Sequence, residues 1–487
     1  MSNSLIPERC DLLIFGGHII DGTSSKSFAG DVAISADRIS AVGHLRSIQA
    51  DQLIDATGYV VAPGFIDVHT HDDYLLLKNR EVTPKLSQGV TTVVIGNCGV
   101  SLSPWAADRK PPPPMDLIGA QQNYCFPTFE SYRLALEDKP PAINAAALIG
   151  HSTLRCAAMK TLDRAAIAEE TDSMRSELRA SLKAGAIGFS TGLAYAPNWA
   201  ATPEEVTALA SELQEFGGVY ATHMRDEGDQ LFDALEESFT TARLAGCPVI
   251  ISHHKCASAA MRGRSAESLA RIDSAAEKQL VSLDVYPYTA SSTILREDHI
   301  EISKEILITW SEAVPNASGK SLSSLAAEWN CDMIDAMRRL QPGGGIYFSM
   351  DDADVDRILA HPKTMVGSDG LPHDTHPHPR LWGTFPRVLG HYVREQRLLT
   401  LEQAIHKMTC LSANTFRLLD RGSIHPGKFA DIVVFDSASI KDTATFEQPT
   451  ELAAGIHTVL VNGTIAWRNN SGTGARTGRV LKNQSSD

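Results

Sequence analysis

The chain has 487 residues, of which 43% are hydrophobic, enough for one large globular domain and a smaller one. Its formal net charge of −14 argues against nucleic acid or an anionic membrane as the main partner, because a polyanion would be repelled over most of the surface. The chain shows no secretion signal, no apolar run of membrane-spanning length and eight scattered cysteines that suit reduced thiols, so a cytoplasmic location is expected.

Both ends of the chain contain short apolar runs separated by turn residues. In the N-terminal part these runs are 12–15, 31–34 and 38–42, and near the other end they are 431–435 and 459–467. Short runs bounded by Gly, Asp and Ser are typical of antiparallel strands. The two ends therefore predict one small β-sandwich built from residues 1–62 and 415–487.

Eight further apolar runs lie between residues 63 and 414, and each ends in polar or small residues. They are 65–71, 91–98, 145–151, 186–191, 218–223, 248–253, 281–286 and 364–369. Near-continuous apolar runs indicate strands buried on both faces, and the segments 166–183 and 203–216 between them indicate helices. Eight such units predict an α/β fold, a (β/α)8 TIM-type barrel over 63–414, with its active site at the C-terminal ends of the strands.

A doubly wound open sheet is the alternative, although it would not so naturally bring the first strand beside the eighth. Residues 291–345, between strands 7 and 8, are too long for an ordinary connection. They predict an inserted lid or subdomain.

Two histidines stand one residue apart at the end of the first barrel strand. Because side chains of a strand alternate between its faces, His69 and His71 point the same way and could bind one divalent ion. The alternative is a pair of polar strand-end residues bonded to nearby backbone.

Six potential metal ligands lie at or just after predicted strand ends. They are His69, His71, Cys98, His223, His253 and Asp369. Imidazole and thiolate bind zinc, and a carboxylate can bind metal or act as a base. A bound metal also lowers the pKa of water toward neutrality. The pattern predicts a metal-dependent hydrolase.

Several other histidines have less defined roles. His254 must point away from the site if His253 faces it, since neighbours on a strand alternate. The role of His151 is left open. The cluster of His373, His376 and His378 lies in a proline-rich loop and is more typical of solvated or structural residues.

The motifs resemble those of the amidohydrolase superfamily and, within it, the N-acyl-D-amino-acid deacylases (D-aminoacylases), over nearly the full length. They are Pro63-Gly-Phe-Ile-Asp-Val-His-Thr-His71, Gly96-Asn-Cys-Gly99, Thr222-His-Met-Arg-Asp-Glu227, Ser252-His-His-Lys255, Asp284-Val-Tyr-Pro-Tyr288 and Gly367-Ser-Asp-Gly-Leu-Pro-His-Asp374. Many members of the superfamily bridge two metals with a carboxylated lysine on strand 4. Residues 186–191 contain no lysine here, and the cysteine on strand 2 fills that gap.

The resemblance implies zinc-dependent hydrolysis of N-acyl-D-amino acids to a carboxylate and the free D-amino acid. It implies a tightly bound zinc on Cys98, His223 and His253, and a second, weaker site that includes His69 and His71. Asp369 would accept a proton from the attacking water and return it to the leaving amine. Tyr195 is the candidate donor to the developing oxyanion.

A small-molecule substrate with an α-carboxylate needs a local positive site on this acidic protein. The substrate-binding candidates are Lys255, Tyr286, Ser292, Arg296 and Arg380. For Lys255 and Arg380 the alternative is a surface salt bridge. Arg296 favours an acidic side chain on the substrate, although an arginine at a lid could equally be solvated.

Two rival functions remain. A cyclic-amide hydrolase of the hydantoinase or dihydroorotase kind would share the barrel and the metal chemistry, but Cys98 and the lysine-free fourth strand argue against it. A metal-free barrel that serves as a scaffold is disfavoured because all six proposed positions are intact. The sequence does not define the oligomeric state, and it is compatible with a monomer.

Overall fold

The structure, a computed structural model, describes residues 8–482, and its largest element is a barrel of eight parallel strands. The strands pair in chain order, and a parallel bridge between Thr70 and Gly370 brings the eighth strand beside the first. This closure confirms the predicted (β/α)8 barrel and rules out the open sheet. The strands are Phe65–Asp67, Val90–Ile95, Asn144–Gly150, Gly188–Gly192, Val219–His223, Val249–Ile251, Val281–Val285 and Thr364–Val366.

Helices connect consecutive barrel strands, as predicted for 166–183 and 203–216. Thr202 begins one of them, since its hydroxyl accepts a hydrogen bond from the Glu205 amide and Pro203 follows at the first helical position. The helices of the barrel are Leu75–Lys78, Thr83–Leu86, Phe129–Asp138, His151–Ala158, Ala168–Lys183, Pro203–Ala210, Leu213–Phe216, Leu231–Ala245, Ser265–Ala276, Asp352–Ala360, Arg380–Arg387, Val388–Glu395 (a π-helix), Leu401–Met408 and Cys410–Thr415.

Apolar side chains fill the interior of the barrel. Ile66, Val94, Leu148, Ala221, Ile250 and Met365 belong to one buried cluster, contributed by strands 1, 2, 3, 5, 6 and 8. A filled interior leaves the polar residues to gather beyond the C-terminal ends of the strands, which is where active sites of such barrels form.

Both ends of the chain join in a second, nine-stranded mixed sheet. Leu12 and Ile34 from one end pack in one cluster with Ile432 and Leu460 from the other, so the ends share a hydrophobic core. The strands are Arg9–Ile19, Phe28–Ser35, Arg38–Gly43, Gln49–Asp55, Val60–Pro63, Ile432–Phe435, Ile456–Val461, Thr464–Arg468 and Ser471–Gly472.

The predicted antiparallel sandwich of 1–62 plus 415–487 differs from this sheet in three respects. Arg9–Ile19 pairs in parallel with Gln49–Asp55 and with Val60–Pro63, so the sheet is mixed. The strand Val60–Pro63 also continues one residue past 62. The two-residue strand Val480–Leu481 falls in that range but pairs with the third barrel strand instead. Residues 1–7 and 483–487 of the range lie outside the described residues. The domain boundaries stay a prediction.

The insertion between strands 7 and 8 is a small folded unit. Its three antiparallel strands are Ser291–Ile294, Ile306–Ser311 and Gly343–Tyr347, and its helices are Leu322–Glu328 and Met333–Leu340. Ile308, Leu322 and Met337 lie in a hydrophobic cluster of its own. Among the described residues, no helix combines the length and the apolar character that crossing a membrane requires.

Candidate metal centre

The six predicted ligands converge at the C-terminal ends of the barrel strands, and all six side chains are buried. His223 is the last residue of strand 5, and the others lie within a few residues after strands 1, 2, 6 and 8. The closure of the barrel therefore brings together side chains that are far apart in the sequence.

The ligand atoms form two groups that share one thiol. His69, His71, Cys98 and Asp369 make up the first group, and Cys98, His223 and His253 make up the second. Within each group the ligand atoms lie within 4.8 Å of one another. The Sγ atom of Cys98 lies 3.2 Å from Nε2 of His69 and 3.3 Å from Nε2 of His253. This arrangement suits two neighbouring metal positions with a common sulfur ligand.

Three of these residues have left-handed backbone conformations. The φ angles of Cys98, His253 and Asp369 are 52°, 35° and 49°, a region that residues other than glycine rarely adopt. Such strain persists only where the surrounding structure holds it, and it is concentrated at functional sites. Near Cys98, the Ser190 hydroxyl accepts a hydrogen bond of 3.0 Å from the Gly99 amide and so fixes the loop.

Two carboxylates orient the histidines from behind. Nδ1 of His253 lies 2.9 Å from Glu227 and Nδ1 of His69 lies 3.3 Å from Asp284, which leaves Nε2 of each ring free for a metal. Neither Glu227 nor Asp284 was predicted from the sequence to have a role in the site. The available signal was that each is an acidic residue inside a motif that carries the family resemblance.

The charges of the site suit a cation. Burial raises the pKa of the Cys98 thiol, but the facing His69 and His253 rings hold it well below its usual value. Burial also raises the pKa of Asp369, while Arg380 and His69 hold it well below its usual value. A thiolate, a carboxylate and imidazole nitrogens are the donors that zinc prefers. The residues present therefore fit a zinc site.

A cavity of about 490 Å³ opens onto both ligand groups. Four of the five substrate-binding candidates line it, namely Lys255, Tyr286, Ser292 and Arg296, together with Tyr195. Val100, Leu117, Ile118 and Leu371 add apolar surface to its wall. The cavity thus combines an apolar wall with a few polar groups, as small-molecule sites do.

Arg380 lies behind the site instead of lining the cavity. Its side chain is fully buried, with Nη2 2.9 Å from Oδ2 of Asp369 and the guanidinium 4.4 Å from the Tyr286 ring centre. Its Nε and Nη1 atoms have no hydrogen-bond partner in the described part of the chain. The surface salt bridge that the sequence left open for Arg380 is therefore wrong.

Lys255 is also buried, which rules out the same alternative for this residue. Its Nζ atom lies 2.7 Å from Oε1 of Glu227 and 2.9 Å from Nδ1 of His253. Nearby, the hydroxyls of Tyr286 and Ser292 are buried without a hydrogen-bond partner within residues 8–482. These groups form one polar wall of the cavity.

Tyr195 packs against the second ligand group. Its ring centre lies 4.8 Å from that of His223, and its hydroxyl lies 3.0 Å from Oγ1 of Thr293. Burial raises the pKa of Tyr195 well above its usual value, and the nearby Cys98 thiolate adds to the effect. The hydroxyl therefore keeps its proton and can donate it in a hydrogen bond.

The other histidines of the sequence analysis belong to neither ligand group among residues 8–482. His151 lies 2.9 Å from Glu205, and His254 lies 2.8 Å from the Ser268 hydroxyl, on the side away from the site as predicted. In the proline-rich loop, His376 and His378 contact backbone carbonyls of Phe446 and Ala290, and His373 packs against Tyr74.

The chain is similar to known proteins over nearly its whole length. The Amidohydrolase family matches residues 52–302 and 317–466. The D-aminoacylase of Alcaligenes xylosoxydans xylosoxydans is 52% identical over 471 residues, which cover 97% of each chain.

Solved structures of deacylases are also similar to this chain, in both sequence and fold. A D-aminoacylase structure has a TM-score of 0.95 at 52% identity, covering 97% of this chain and 100% of its own, and its binuclear metal centre shows one-metal activation and second-metal attenuation. The N-acyl-D-glutamate deacylase of Bordetella bronchiseptica, solved with zinc and a phosphonate mimic of the tetrahedral intermediate, has a TM-score of 0.95 at 46% identity, covering 98% and 100%. An L-hydantoinase from Arthrobacter aurescens shares only the fold, with 16% identity and a TM-score of 0.63 over 97% and 100%.

Proposed function

We propose that this chain, which belongs to the amidohydrolase family and within it to the D-aminoacylases, hydrolyses the acyl amide bond of N-acyl-D-amino acids with bound zinc. The products are a carboxylate and the free D-amino acid. The observation that carries the proposal is the sharing of Cys98 between two groups of metal ligands at the mouth of the barrel. A cyclic-amide hydrolase is disfavoured because the hydantoinase likeness is one of fold alone.

The two ligand groups define how the metal would be held. Cys98, His223 and His253 would bind one zinc tightly, and His69 and His71 would complete a second, weaker site with Cys98 and Asp369. When bound, zinc polarises the acyl carbonyl and lowers the pKa of a water molecule. The group of His69, His71, Cys98 and Asp369 offers four possible ligands. One of them, the Asp369 carboxylate, is also the group proposed to transfer the proton.

Asp369 is the proposed base and acid of the reaction. Oδ2 of its carboxylate is held by Arg380 at 2.9 Å, and Oδ1 lies 3.2 Å from His71. The low pKa of Asp369 keeps the carboxylate ionised and ready to accept the proton of the attacking water. Asp369 then returns this proton to the nitrogen of the leaving amine, which could not depart as an anion.

Tyr195 is the proposed donor to the acyl oxygen. The hydroxyl lies on the cavity wall beside His223 and retains its proton because burial raises its pKa. A hydrogen bond from Tyr195 strengthens as negative charge develops on that oxygen, so it stabilises the transition state more than the substrate.

The polar wall of the cavity would bind the α-carboxylate of the substrate. Lys255 supplies a positive charge, and the unpartnered hydroxyls of Tyr286 and Ser292 supply donors. Arg380 contributes its charge from behind the Tyr286 ring. These groups overcome the repulsion that a protein with a net charge of −14 exerts on an anionic substrate.

Arg296 is proposed to favour acidic side chains on the substrate, such as those of D-glutamate or D-aspartate. It lines the cavity, where its guanidinium pairs with Asp298 at 2.6 Å. Asp298 is 61% exposed, so a substrate carboxylate could replace it as the partner of Arg296 at little cost. In the Arg296→Leu variant, kcat/KM for an N-acetyl-D-glutamate substrate should fall relative to N-acetyl-D-leucine.

We further propose that the protein acts in the cytoplasm. All eight cysteines are free in the structure, as is usual for proteins of a reducing compartment.

The experiment that tests the proposed activity is a screen of N-acetyl-D- and N-acetyl-L-amino acids with amine release as the readout. Hydrolysis of the D series supports the proposal. Preference for the L series, or for a cyclic amide such as a hydantoin, would overturn it.

A further inference from the structure

Lys85 is a fully buried lysine at the seam where the barrel closes. It lies in the short helix Thr83–Leu86, and its Nζ atom donates to Oδ2 of Asp67 and to Oγ of Ser368, both at 2.8 Å. The ammonium also lies 3.4 Å from Oδ2 of Asp72. Burial lowers the pKa of Lys85, but Asp67 and Asp72 outweigh this effect and raise it, so the side chain stays charged.

The partners of Lys85 belong to the first and the last strand of the barrel. Asp67 ends strand 1, two residues before His69, and Ser368 lies two residues after the end of strand 8. Oδ1 of Asp67 accepts a hydrogen bond of 2.8 Å from the Ser368 amide, while its other oxygen binds Lys85. Lys85, Asp67 and Ser368 therefore form a closed set of hydrogen bonds across the seam.

This set fixes the turn that carries Asp369. The Ser368 hydroxyl accepts a hydrogen bond of 3.2 Å from the Gly370 amide, and this bond bridges the turn around Asp369. The Asp369 amide donates to the carbonyl of His69 at 2.8 Å. Asp369 has a φ of 49°, a conformation that must be held by its surroundings. The Lys85 ammonium is the charged group at the centre of that support.

We propose that Lys85 is a positioning residue for hydrolysis, which sets the turn from which Asp369 reaches His71 and Arg380. Lys85 itself is absent from both ligand groups and from the cavity wall in the described part of the chain. The inference rests on the role proposed above for Asp369. In this proposal Lys85, a helix residue outside the site, controls the position of the Asp369 carboxylate.

The test compares variants in kinetics and in zinc binding. Lys85→Met keeps the apolar stem and removes the charge and the donors. We expect kcat for an N-acetyl-D-amino acid to fall about 100-fold, as misplacement of a reacting group by about 1 Å can cause, with little change in KM. Zinc titration of metal-stripped protein should show the tight site unchanged, because Cys98, His223 and His253 form no hydrogen bond or ion pair with Lys85, Asp67 or Ser368 in the described part of the chain. The second site should be weakened about 10-fold or more.

Two further variants separate positioning from stability. Ser368→Ala removes only a hydroxyl, and it should change kcat and second-site zinc affinity in the same direction with a smaller effect. Lys407→Met is the matched control, because Lys407 is a buried lysine that binds the backbone carbonyls of His361 and Thr364, at the other end of strand 8. It should lower the melting temperature and leave kcat unchanged.

The outcomes are distinct. Wild-type kcat and zinc affinity in both Lys85→Met and Ser368→Ala would overturn the inference, as would an equal loss of kcat in Lys407→Met. If Lys85→Met does not fold, Ser368→Ala decides. If the wild-type protein has no deacylase activity, the proposed function fails, while the zinc titration still tests positioning through the second-site affinity.

Discussion

Nε2 of His71 lies 3.2 Å from Oδ1 of Asp369, although 298 residues separate the two in the sequence. The contact exists because the bridge between Thr70 and Gly370 closes the barrel at this point. It makes Asp369 both a potential ligand of the weaker metal position and the proposed base. A metal held tightly there would compete with the proton for the same carboxylate.

The role of Cys98 can be tested by removing the shared ligand. Cys98→Ala should lower bound zinc well below that of the wild type and abolish turnover, because both ligand groups lose their common donor. The measurement is zinc content of purified protein together with amine release. Cys156→Ala, at a buried cysteine outside both groups, should keep zinc and activity. Unchanged zinc content in Cys98→Ala would show that the metal lies elsewhere.

Asp369→Asn should lower kcat by about 10³-fold or more while the tightly bound zinc is retained. The amide has the size of the carboxylate but cannot accept a proton at neutral pH. The change also leaves the buried Arg380 without its negative partner, so the free energy of unfolding should fall by about 3 kcal/mol. Near-normal turnover with full zinc content would remove Asp369 as the base.

Tyr195→Phe should lower kcat by about 100-fold, since one donor to the developing oxyanion is lost. KM should change little, because the hydrogen bond is proposed to strengthen in the transition state. Tyr220→Phe is a suitable control, since its buried hydroxyl lies 3.1 Å from Thr191 on the neighbouring strand and does not line the described cavity. Equal activity of the Tyr195 and Tyr220 variants would argue against the assignment.

The buried carboxyl group of Asp374 should contribute stability that is lost as the pH rises. Burial raises the pKa of Asp374 to about 7. In the unfolded chain this pKa is about 3.9, so the folded state binds the proton more tightly. The resulting stabilisation is fully present below pH about 4 and is lost as the pH rises through about 7.

Asp374→Asn is neutral at every pH and should lack this dependence. The free energy of unfolding, measured between pH 5 and pH 8, should therefore decrease more in the wild type than in the variant. Parallel pH profiles of the two proteins would contradict the prediction.

The barrel and the convergence of the candidate ligands could be predicted because their signals are local. Buried strands give continuous apolar runs, and His69, Cys98, His223 and Asp369 stand where these runs end, so the order of strands brought them together. The two-residue strand Val480–Leu481 was missed because so short a pairing leaves no periodic pattern.

The supporting residues could not be predicted because their roles depend on tertiary contacts. The burial of Arg380 behind Asp369, and the pairing of Glu227 with His253 and of Asp284 with His69, follow only from the closed barrel. A lysine such as Lys85 on a short helix is usually a solvated residue, and nothing local shows that it is buried.

The most direct test of the account is the hydrolysis of matched N-acetyl-D- and N-acetyl-L-amino acids by one protein preparation, before and after removal of zinc. We predict amine release from the D enantiomer only, with loss of activity on zinc removal and recovery when zinc is restored. Preferential hydrolysis of the L enantiomer, or undiminished activity of the metal-stripped protein, would contradict it.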